Sequence, residues 1–473
     1  MKCPTPLLVP HGLIAKSVDL KAQVKSNNKN NSNASYNTDV LEELQRFREF
    51  FTQSTKEPSD EEDVLKRMNE YLSVMWGFVF AFEQKGIKQE EKIQVAEQQG
   101  DSMVLIKPTP SQKPDPPSPS KFSKLRNSMS FEWCSSQKNN KTNAKVNDSL
   151  YEVVMVLLSV INILSQQAQY SVMNDNGKKA FKTLLRAYGM CVQATELSKE
   201  LDSSAMNALP FELNAFERSK VMLQIIKSQV QEMGFYAAME KEDKQELVAK
   251  ISRGAYESYL QCQSLISNAD ATVAPYSSFV DFKCSVWEVF CKVYSAVYCN
   301  KNEENGVAVS LVRSAKSSVP SVIQKSKSLY KYKVTEDSLI NVQRDSLVSA
   351  CDRFDAKFTK ENSIVFHQQV PDNIKELPVD PITMGTPTPF TFPKPHAMWT
   401  PEVYSSFNIS EYLSNTVQQQ DIVMKEQPVV SHNDPVVQDK KRERSPEIEE
   451  EAPQQKKKSA RYDSGGISLC VIC

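Results

Sequence analysis

The sequence is poor in the residues that build catalytic and metal sites, above all histidine. Its 473 residues include four histidines: His11, His367, His396 and His432. It contains no Gly-rich phosphate loop, no G-x-S-x-G, no H-E-x-x-H and no Cys/His set with zinc-ligand spacing. Three of the histidines lie in irregular segments, where an acid–base pair would lack rigid placement. We therefore expect no enzyme, no metal, no cofactor and no small-molecule substrate.

Glycine and long apolar runs are also scarce. Only 12 glycines occur, beside long stretches rich in Leu, Val, Met, Ala, Glu and Lys, which favours helices over sandwiches or barrels. The richest apolar window, residues 153–164, is interrupted by Ser159 and Asn162, so no window approaches the roughly 18 apolar residues of a membrane span. The apolar run at 7–9 is too short for a secretory signal. A soluble, intracellular, all-α protein is expected.

The chain also lacks an excess of charge of either sign. A net charge of −1 gives no global attraction to nucleic acid, which is not an expected partner. The ten cysteines are scattered through helical segments, as is typical of reduced thiols in the cytosol. Cys284, Cys291 and Cys299 fall on one face of a predicted helix, far from every histidine. Buried thiols are therefore the better interpretation than a metal site.

Apolar residues recur at intervals of three and four along most of the chain. This pattern predicts helices near 41–51, 65–82, 150–164, 181–192, 211–239, 244–266, 277–299, 307–330 and 336–360, one of them starting at Pro210. Short polar turns between long helices favour antiparallel hairpins stacked into an α-solenoid. No fixed tandem-repeat signature is present.

Two proline-rich stretches interrupt the helical pattern. Residues 88–120 are rich in Gln, Glu, Lys, Ser and Pro and are predicted to be a disordered insertion. After Ile364-Val365-Phe366, which suggests a short strand or extended contact, prolines alternate with Phe390, Phe392, Trp399 and Phe407. Because prolines exclude a helix and the aromatics need burial, we expect this segment to lie extended along the helices. An exposed ligand for an SH3-type domain is the alternative.

The C-terminal tail, residues 411–469, is predicted to be disordered and carries blocks of charge. Its basic clusters lie at 440–444 and at Lys456, Lys457, Lys458 and Arg461, with an acidic run between them. Three interpretations stay open: attraction to an anionic membrane surface, a bipartite nuclear import signal, or a solvated tail without a specific role.

The last four residues have the form of a C-a-a-X prenylation box. They are Cys470, Val471, Ile472 and Cys473, and the glycines just upstream supply the flexibility that a prenyltransferase requires. Cysteine is unusual at the last position, but its small size favours farnesyl. The prediction is a covalent farnesyl group on Cys470, and the alternative is an unmodified tail.

Several segments together resemble the Bro-one domain family, in its BROX branch (ALIX/BROX type). The strongest likeness is the run PTPFTFP at 387–393 followed by MWTPE at 398–402, which resembles the end of that domain. Residues 361–371, 123–133 and 247–251 and the pair Gln231-Glu232 add to it, and the prenylation box is a feature of the same branch. The resemblance covers about residues 1–410. Residues 88–120 are inserted relative to it, and its N-terminal strand is hardly recognisable at 18–24.

This resemblance implies a fold and a partner. The fold would be a curved, boomerang-shaped helical domain over 1–410 with a tetratricopeptide-like core and possibly a small β-hairpin near the N-terminus. The partner would be the C-terminal amphipathic helix of an ESCRT-III subunit, of the charged multivesicular body protein type. Matching the family hairpin places its binding patch on Phe235, Leu247 and Ile251. Leu247 and Ile251 are four apart and share a helix face, although the sequence alone also allows that face to be internal.

The leading functional hypothesis is a prenylated, membrane-anchored adaptor for ESCRT-III in endosomal sorting or membrane remodelling. Such a protein would be cytoplasmic and peripheral on intracellular membranes, endosomal or at the nuclear envelope. The alternative hypothesis is a soluble nuclear or cytosolic helical scaffold whose basic tail is an import signal.

Overall fold

The structure is a computed structural model, and it describes most of the helical part of the chain. The described residues are 7–8, 13–16, 20, 38–54, 60–80, 122–123, 125–135, 143–240, 244–266, 273–333, 335–374 and 376–407. They all belong to one compact unit, Met1–Asp421. Three predictions concern residues outside the described ones. They are the insertion at 88–120, the tail at 411–469 with its cluster Lys456, Lys457, Lys458 and Arg461, and the farnesyl group on Cys470.

Helices dominate the described part of the chain. In order they are α1 (Thr38–Ser54), α2 (Glu61–Val79), α3 (Ser149–Met173), α4 (Gly177–Ser198), α5 (Ser203–Asn207), α6 (Ala215–Met239), α7 (Gln245–Ile266), α8 (Ala274–Lys301), α9 (Asn305–Tyr330), α10 (Asp337–Glu361) and α11 (Pro401–Ser406). Successive long helices pack against each other as hairpins, α3 on α4 and each of α6 to α9 on the next. The all-α class and the stacked helical pairs are confirmed.

One helix starts later than the sequence predicted. Residues 210–213 form a turn in which the amides of Leu213 and Asn214 donate to the carbonyl of Pro210. The Asn214 side chain then accepts the Glu217 amide at 3.1 Å, which caps α6. The start at Pro210 was therefore wrong, because an asparagine N-cap satisfies the free amides of the first helical turn.

Helix α3 is the centre of the core. By length and composition it could cross a membrane, but 94% of its most apolar window is buried inside the fold. A helix that is apolar all round is buried on all sides, and here the surrounding layers are other parts of the same chain. Glu152 is the one fully buried acid on α3. It accepts hydrogen bonds from Arg48 (2.8 Å), Tyr71 (2.7 Å) and Trp133 (2.6 Å).

A small antiparallel sheet completes the N-terminal part. The strands β2 (Phe131–Ser135) and β3 (Asn143–Val146) form a hairpin, and β1 (Leu13–Ala15) pairs with the other edge of β2. The β-hairpin implied by the family resemblance is present, and an N-terminal strand pairs with it at 13–15. The Trp133 bond to Glu152 attaches this sheet to α3.

The end of α10 also differs from its sequence-based interpretation. Residues Asn362–Phe366 form a π-helical turn rather than a strand. His367 follows with a φ of 48°, and its amide donates to the Asn362 carbonyl at 2.7 Å, which ends the helix. Ile364 and Val365 are consequently 63% and 64% exposed.

Candidate partner-binding surface

The proline-rich segment after α10 runs back across the helices, and we call residues 367–400 the strap. Five of the helices that the strap contacts carry a glycine where it passes. A Cβ atom added to these glycines would lie 1.7–3.0 Å from strap atoms: Gly306 on α9, Gly254 on α7, Gly234 on α6, Gly189 on α4 and Gly77 on α2. The glycines are needed because the strap occupies the space of a side chain. The predicted extended packing of this segment is confirmed.

The far end of the strap is anchored in α2 by aromatic side chains. Trp399 is 4% exposed, and its indole Nε1 donates to the Val74 carbonyl at 2.7 Å. The Trp399 ring lies edge-on to the Phe78 ring with centroids 5.0 Å apart. The Phe407 ring also lies edge-on to Phe78, with centroids 5.6 Å apart. Such burial of the aromatic side chains excludes their display as an exposed ligand.

The middle of the strap is held by Gln231 of α6. Its Nε2 donates to the carbonyls of Ile382 (2.5 Å) and Ile251 (3.2 Å), while its Oε1 accepts the Met384 amide at 2.5 Å. The Ile382 amide donates to the Lys250 carbonyl at 3.2 Å. Gln231 therefore joins α6, α7 and the strap through backbone groups, which leaves the strap side chains free for other contacts.

Of the three predicted patch residues, Phe235 is internal. It is 0% exposed, and its ring packs against Trp287 (4.9 Å), Tyr294 (5.0 Å) and Phe290 (5.8 Å) of α8. The prediction that Phe235 forms part of a surface patch is therefore wrong. An aromatic ring enclosed by three others is a core contact between α6 and α8.

Ile251 is also 0% exposed, so it too is not a surface residue. The buried face of α7 includes Val248, Ile251, Ala255 and Tyr259 at helical spacing. Ile251 lies on this internal stripe, and the prediction of a shared exposed face with Leu247 fails. Leu247 lies at the edge of the stripe, half-buried against the core. It alone of the three stays a candidate contact residue.

Two strap residues contact the helices near Leu247, one on α7 a helical turn away and one on α6 at Gly234. Ile382 is 38% exposed and is bonded through its amide to Lys250, one helical turn from Leu247. Met384 packs against Gly234 of α6: a Cβ atom added to Gly234 would lie 3.0 Å from the Met384 Cβ. We call Leu247, Ile382 and Met384 the strap patch. Sequence reasoning missed the last two because they lie far along the chain, although the helix glycines were a usable signal.

Charged groups of both signs border the strap patch. Lys250 donates to Glu246 at 2.6 Å, and that hydrogen bond, then the carboxylate charge, raises the lysine pKa. On the other side of the strap Arg253 pairs with Glu257 at 3.0 Å and donates to the Leu377 carbonyl at 3.3 Å. An apolar centre with a mixed polar rim is the usual composition of a protein-binding surface.

Next to Gln231 in the sequence, Glu232 forms a fully buried ion pair that ties α6 to α8. Lys283 Nζ lies 2.8 Å from Glu232 Oε2, and both side chains are 0% exposed. Trp287 Nε1 donates to the other carboxylate oxygen at 2.9 Å. Burial, and then the charge of Glu232, raises the pKa of Tyr259 well above its usual value. Because Gln231 and Glu232 are neighbours, the residue that holds the strap is fixed by the core.

The cysteines of the described residues are buried, free thiols. Burial raises the pKa of Cys284, Cys291 and Cys299 to about 12 each, so they are protonated at neutral pH. The interpretation of these three as buried thiols is confirmed. No group of three His, Cys, Asp or Glu residues in the described part of the chain could hold a metal ion.

Comparison with known proteins identifies the family. The sequence model of the BRO1-like domain family matches residues 119–411. The chain belongs to the BRO1-like domain family. The matched residues include β2, β3, every helix from α3 to α11 and the whole strap, so the strap is an integral part of the BRO1-like domain.

Relatives and solved structures agree with this assignment. The BRO1 domain-containing protein BROX homolog of Caenorhabditis elegans is 20% identical over 368 residues, or 75% of this chain and 79% of the relative. The structure of the ALIX BRO1 CHMP4C complex aligns at a TM-score of 0.57 and 17% identity, covering 83% of this chain and 98% of the other. A Bro1 domain structure solved for the basis of endosomal targeting aligns at a TM-score of 0.58 and 14% identity, covering 88% of this chain and 99% of the other. At these identities the structures establish a shared BRO1 fold.

Proposed function

We propose that this BRO1-like protein is a membrane-associated adaptor that binds the C-terminal amphipathic helix of an ESCRT-III subunit. The strap patch is the observation that carries the proposal. It offers an exposed isoleucine, a methionine and a half-buried leucine on two packed elements. The family relation supports the choice of partner, because a relative of the same fold was solved as a complex with CHMP4C.

The chemistry of the strap patch suits an amphipathic helix. Such a helix presents apolar side chains at i, i+3, i+4 and i+7, which need an apolar surface longer than one side chain. Ile382, bonded to α7 one helical turn from Leu247, and Met384, packed on Gly234 of α6, would together with Leu247 provide a surface of that length. Gln231 holds the strap through backbone atoms, so the surface is preorganised and little ordering accompanies binding.

A peptide-binding measurement tests the partner assignment. We expect the full chain to bind an ESCRT-III C-terminal helix peptide, and Leu247→Asp to weaken that binding about thirtyfold or more, since a carboxylate would be desolvated in the complex. A loss of about 2 kcal/mol or more per anchor weakens a micromolar complex about thirtyfold. Ile382→Asp should act similarly while the strap keeps its backbone bonds. Met384→Ala shortens the third side chain of the strap patch without adding a charge, so it should weaken binding less.

The matched control is Leu260→Asp, on the same helix but away from the strap. Leu260 is 39% exposed, so it accepts a charge as readily as Ile382. Its binding should equal that of the unaltered chain. Absence of binding by the unaltered chain contradicts the proposed partner, whereas equal binding by the Leu247 and control variants contradicts only the strap patch.

The second part of the proposal is the membrane anchor. A farnesyl group on Cys470, added by a protein prenyltransferase, would hold the chain peripherally on the cytoplasmic side of an intracellular membrane. A single lipid chain gives marginal, reversible binding, and each nearby basic residue adds roughly 1 kcal/mol at an anionic surface. Lys456, Lys457, Lys458 and Arg461 would supply that addition.

Fractionation and intact mass test the anchor. We expect the mass of the chain from eukaryotic cells to include a farnesyl group, and Cys470→Ser to move the protein from the membrane pellet to the soluble fraction. Neutralising the four basic residues should weaken pelleting, more visibly at low salt. An unmodified Cys470, together with nuclear accumulation that the basic residues control, would instead favour the scaffold with an import signal.

A further inference from the structure

Two lysine-rich turns lie side by side in the fold. The Thr335 hydroxyl, in the turn between α9 and α10, donates to Gln169 Oε1 of α3 at 3.3 Å. Met173 is four residues after Gln169 and therefore lies on the same side of α3, at the turn into α4. The α3–α4 turn and the α9–α10 turn thus adjoin, although about 160 residues separate them in sequence.

These two turns concentrate positive charge. Residues 170–182 and 325–337 together contain seven lysines and only three acids, Asp175, Glu336 and Asp337. The chain as a whole has a net charge of −1, so this is a local excess. Lys178, Lys179, Lys331 and Lys333 are all exposed, and within the described part of the chain none of them forms a salt bridge.

Exposed apolar side chains accompany the lysines. Tyr170 is 69% exposed, and Met173, three residues further along α3, is 48% exposed. The two are neighbours on the helix surface because residues three apart lie on one face. Tyrosine favours the interface between headgroups and acyl chains, where its ring is apolar and its hydroxyl hydrated.

We infer that this surface contacts an anionic lipid bilayer. The tip surface consists of Tyr170, Met173, Lys178, Lys179, Lys331 and Lys333. The lysines would lie against lipid phosphates while the two apolar side chains enter the interface. A nucleic acid would use the lysines but would leave Met173 without an apolar partner. None of these six residues belongs to the strap patch or to the C-a-a-X box, so the inference goes beyond the proposed function.

The test uses vesicles and a chain without the other membrane contacts. The parent is the full chain with Cys470→Ser and with Lys456, Lys457, Lys458 and Arg461 each changed to Gln. We expect it to sediment with phosphatidylcholine vesicles that contain phosphatidylserine, and much less with phosphatidylcholine alone. Binding should fall as salt is raised, because the lysines are exposed.

Variants of the tip surface then decide the assignment. Lys178→Glu with Lys179→Glu, and separately Lys331→Glu with Lys333→Glu, should each weaken vesicle binding about tenfold or more. Tyr170→Ser with Met173→Ser should weaken it without changing the charge. Lys244→Glu with Lys301→Glu is the control, since both are exposed and the change in charge is the same. Circular dichroism verifies that each variant is folded.

Three results would overturn the inference. They are a parent that does not bind anionic vesicles, tip variants that bind as well as the Lys244/Lys301 control, and a parent that prefers a single-stranded oligonucleotide to the vesicles. Failure of prenylation or of helix binding leaves this assay unchanged, because the parent has neither the modified cysteine nor a peptide partner.

Discussion

At the scale of single residues, the helix glycines define where the strap lies. Gly189 illustrates this: a Cβ there would lie 1.7 Å from the Thr388 carbonyl oxygen, an atom fixed by the strap backbone. The Thr388 amide also donates to the Leu185 carbonyl at 3.0 Å, so the strap cannot move away without losing a hydrogen bond. Glycine is poor for a helix interior, and only the close approach explains its position in α4.

Replacing Gly189 by alanine should therefore destabilise the protein. In an exposed helix the same change would stabilise by about 1 kcal/mol. Here we expect a loss of about 1–3 kcal/mol in the free energy of unfolding, as for overpacked cores, measured by urea denaturation. Lys182→Ala, on an exposed position of the same helix, is the control and should change little. A Gly189→Ala protein that is more stable than the unaltered chain would contradict the close approach.

The predicted partner-binding patch was also wrong at the scale of single residues. The four-residue spacing of Leu247 and Ile251 is compatible with an exposed face and with a buried one, and the distinction depends on what covers α7. Ile251 is covered by the core, and Leu247 lies at its edge. Ile382 and Met384 were missed, because no pattern near them in the sequence indicates which helix they contact, and the glycines that mark those contacts lie on the helices themselves.

At the scale of the helices, the buried pair of Lys283 and Glu232 fixes how α6 and α8 pack. Lys283→Met should cost about 3–5 kcal/mol of stability, because it leaves the Glu232 carboxylate buried without its cation. Adding Glu232→Gln should recover much of the loss, since a glutamine oxygen can still accept the Trp287 N–H. Urea denaturation of the single and double variants measures both effects. If the single variant were as stable as the unaltered chain, the pair would contribute nothing to the packing.

The strap is the element whose packing the sequence did predict. Prolines excluded a helix, and the aromatic side chains required burial, so docking along the helices followed from composition. The composition did not predict the route of the strap across α9, α7, α6, α4 and α2. An extended segment without periodicity does not indicate which of its residues contacts which helix. The glycines of the helices set those contacts.

Trp399→Ala tests how strongly the strap stabilises the domain. Trp399 is 4% exposed and packs directly over Gly77, so its loss would leave a large cavity between strap and α2. We expect a loss of about 3–5 kcal/mol in the free energy of unfolding. Ile382→Ala, on the exposed part of the same strap, should cost below about 1 kcal/mol. Equal melting temperatures for the two variants would show that the strap is not part of the core.

At the scale of the whole molecule, helical periodicity located the long helices, although the periodic segment 150–164 ends nine residues before Met173, the last residue of α3. Other segments match closely. The periodic segment at 336–360, for example, corresponds to α10 at Asp337–Glu361. The three-stranded sheet was much harder to predict, because β1 pairs with β2 across more than a hundred residues. Strands of three to five residues carry little pattern, and tertiary contacts decide their state.

The chain on either side of residues 88–120 is already joined by contacts that do not need this segment. Phe80 and Phe122 form an antiparallel bridge, and their rings stack with centroids 6.2 Å apart. The Ser123 amide also donates to the Val79 carbonyl at 2.9 Å. Closing a shorter loop between two ends that are already adjacent requires no rearrangement, and the entropy of closure changes only with the logarithm of loop length.

Deleting residues 88–120 should therefore leave the melting temperature of the domain unchanged or slightly raised. The remaining residues on both sides still suffice to span the short gap between Phe80 and Phe122. Differential scanning fluorimetry of the deleted and full chains measures the difference, and binding of the ESCRT-III helix peptide serves as a check on the fold. The control is Phe122→Ala in the full chain, which removes the stacked ring but keeps the insertion and should lower the melting temperature. A large drop on deletion, comparable to that of Phe122→Ala, would show that residues 88–120 pack against the domain and contribute to its stability.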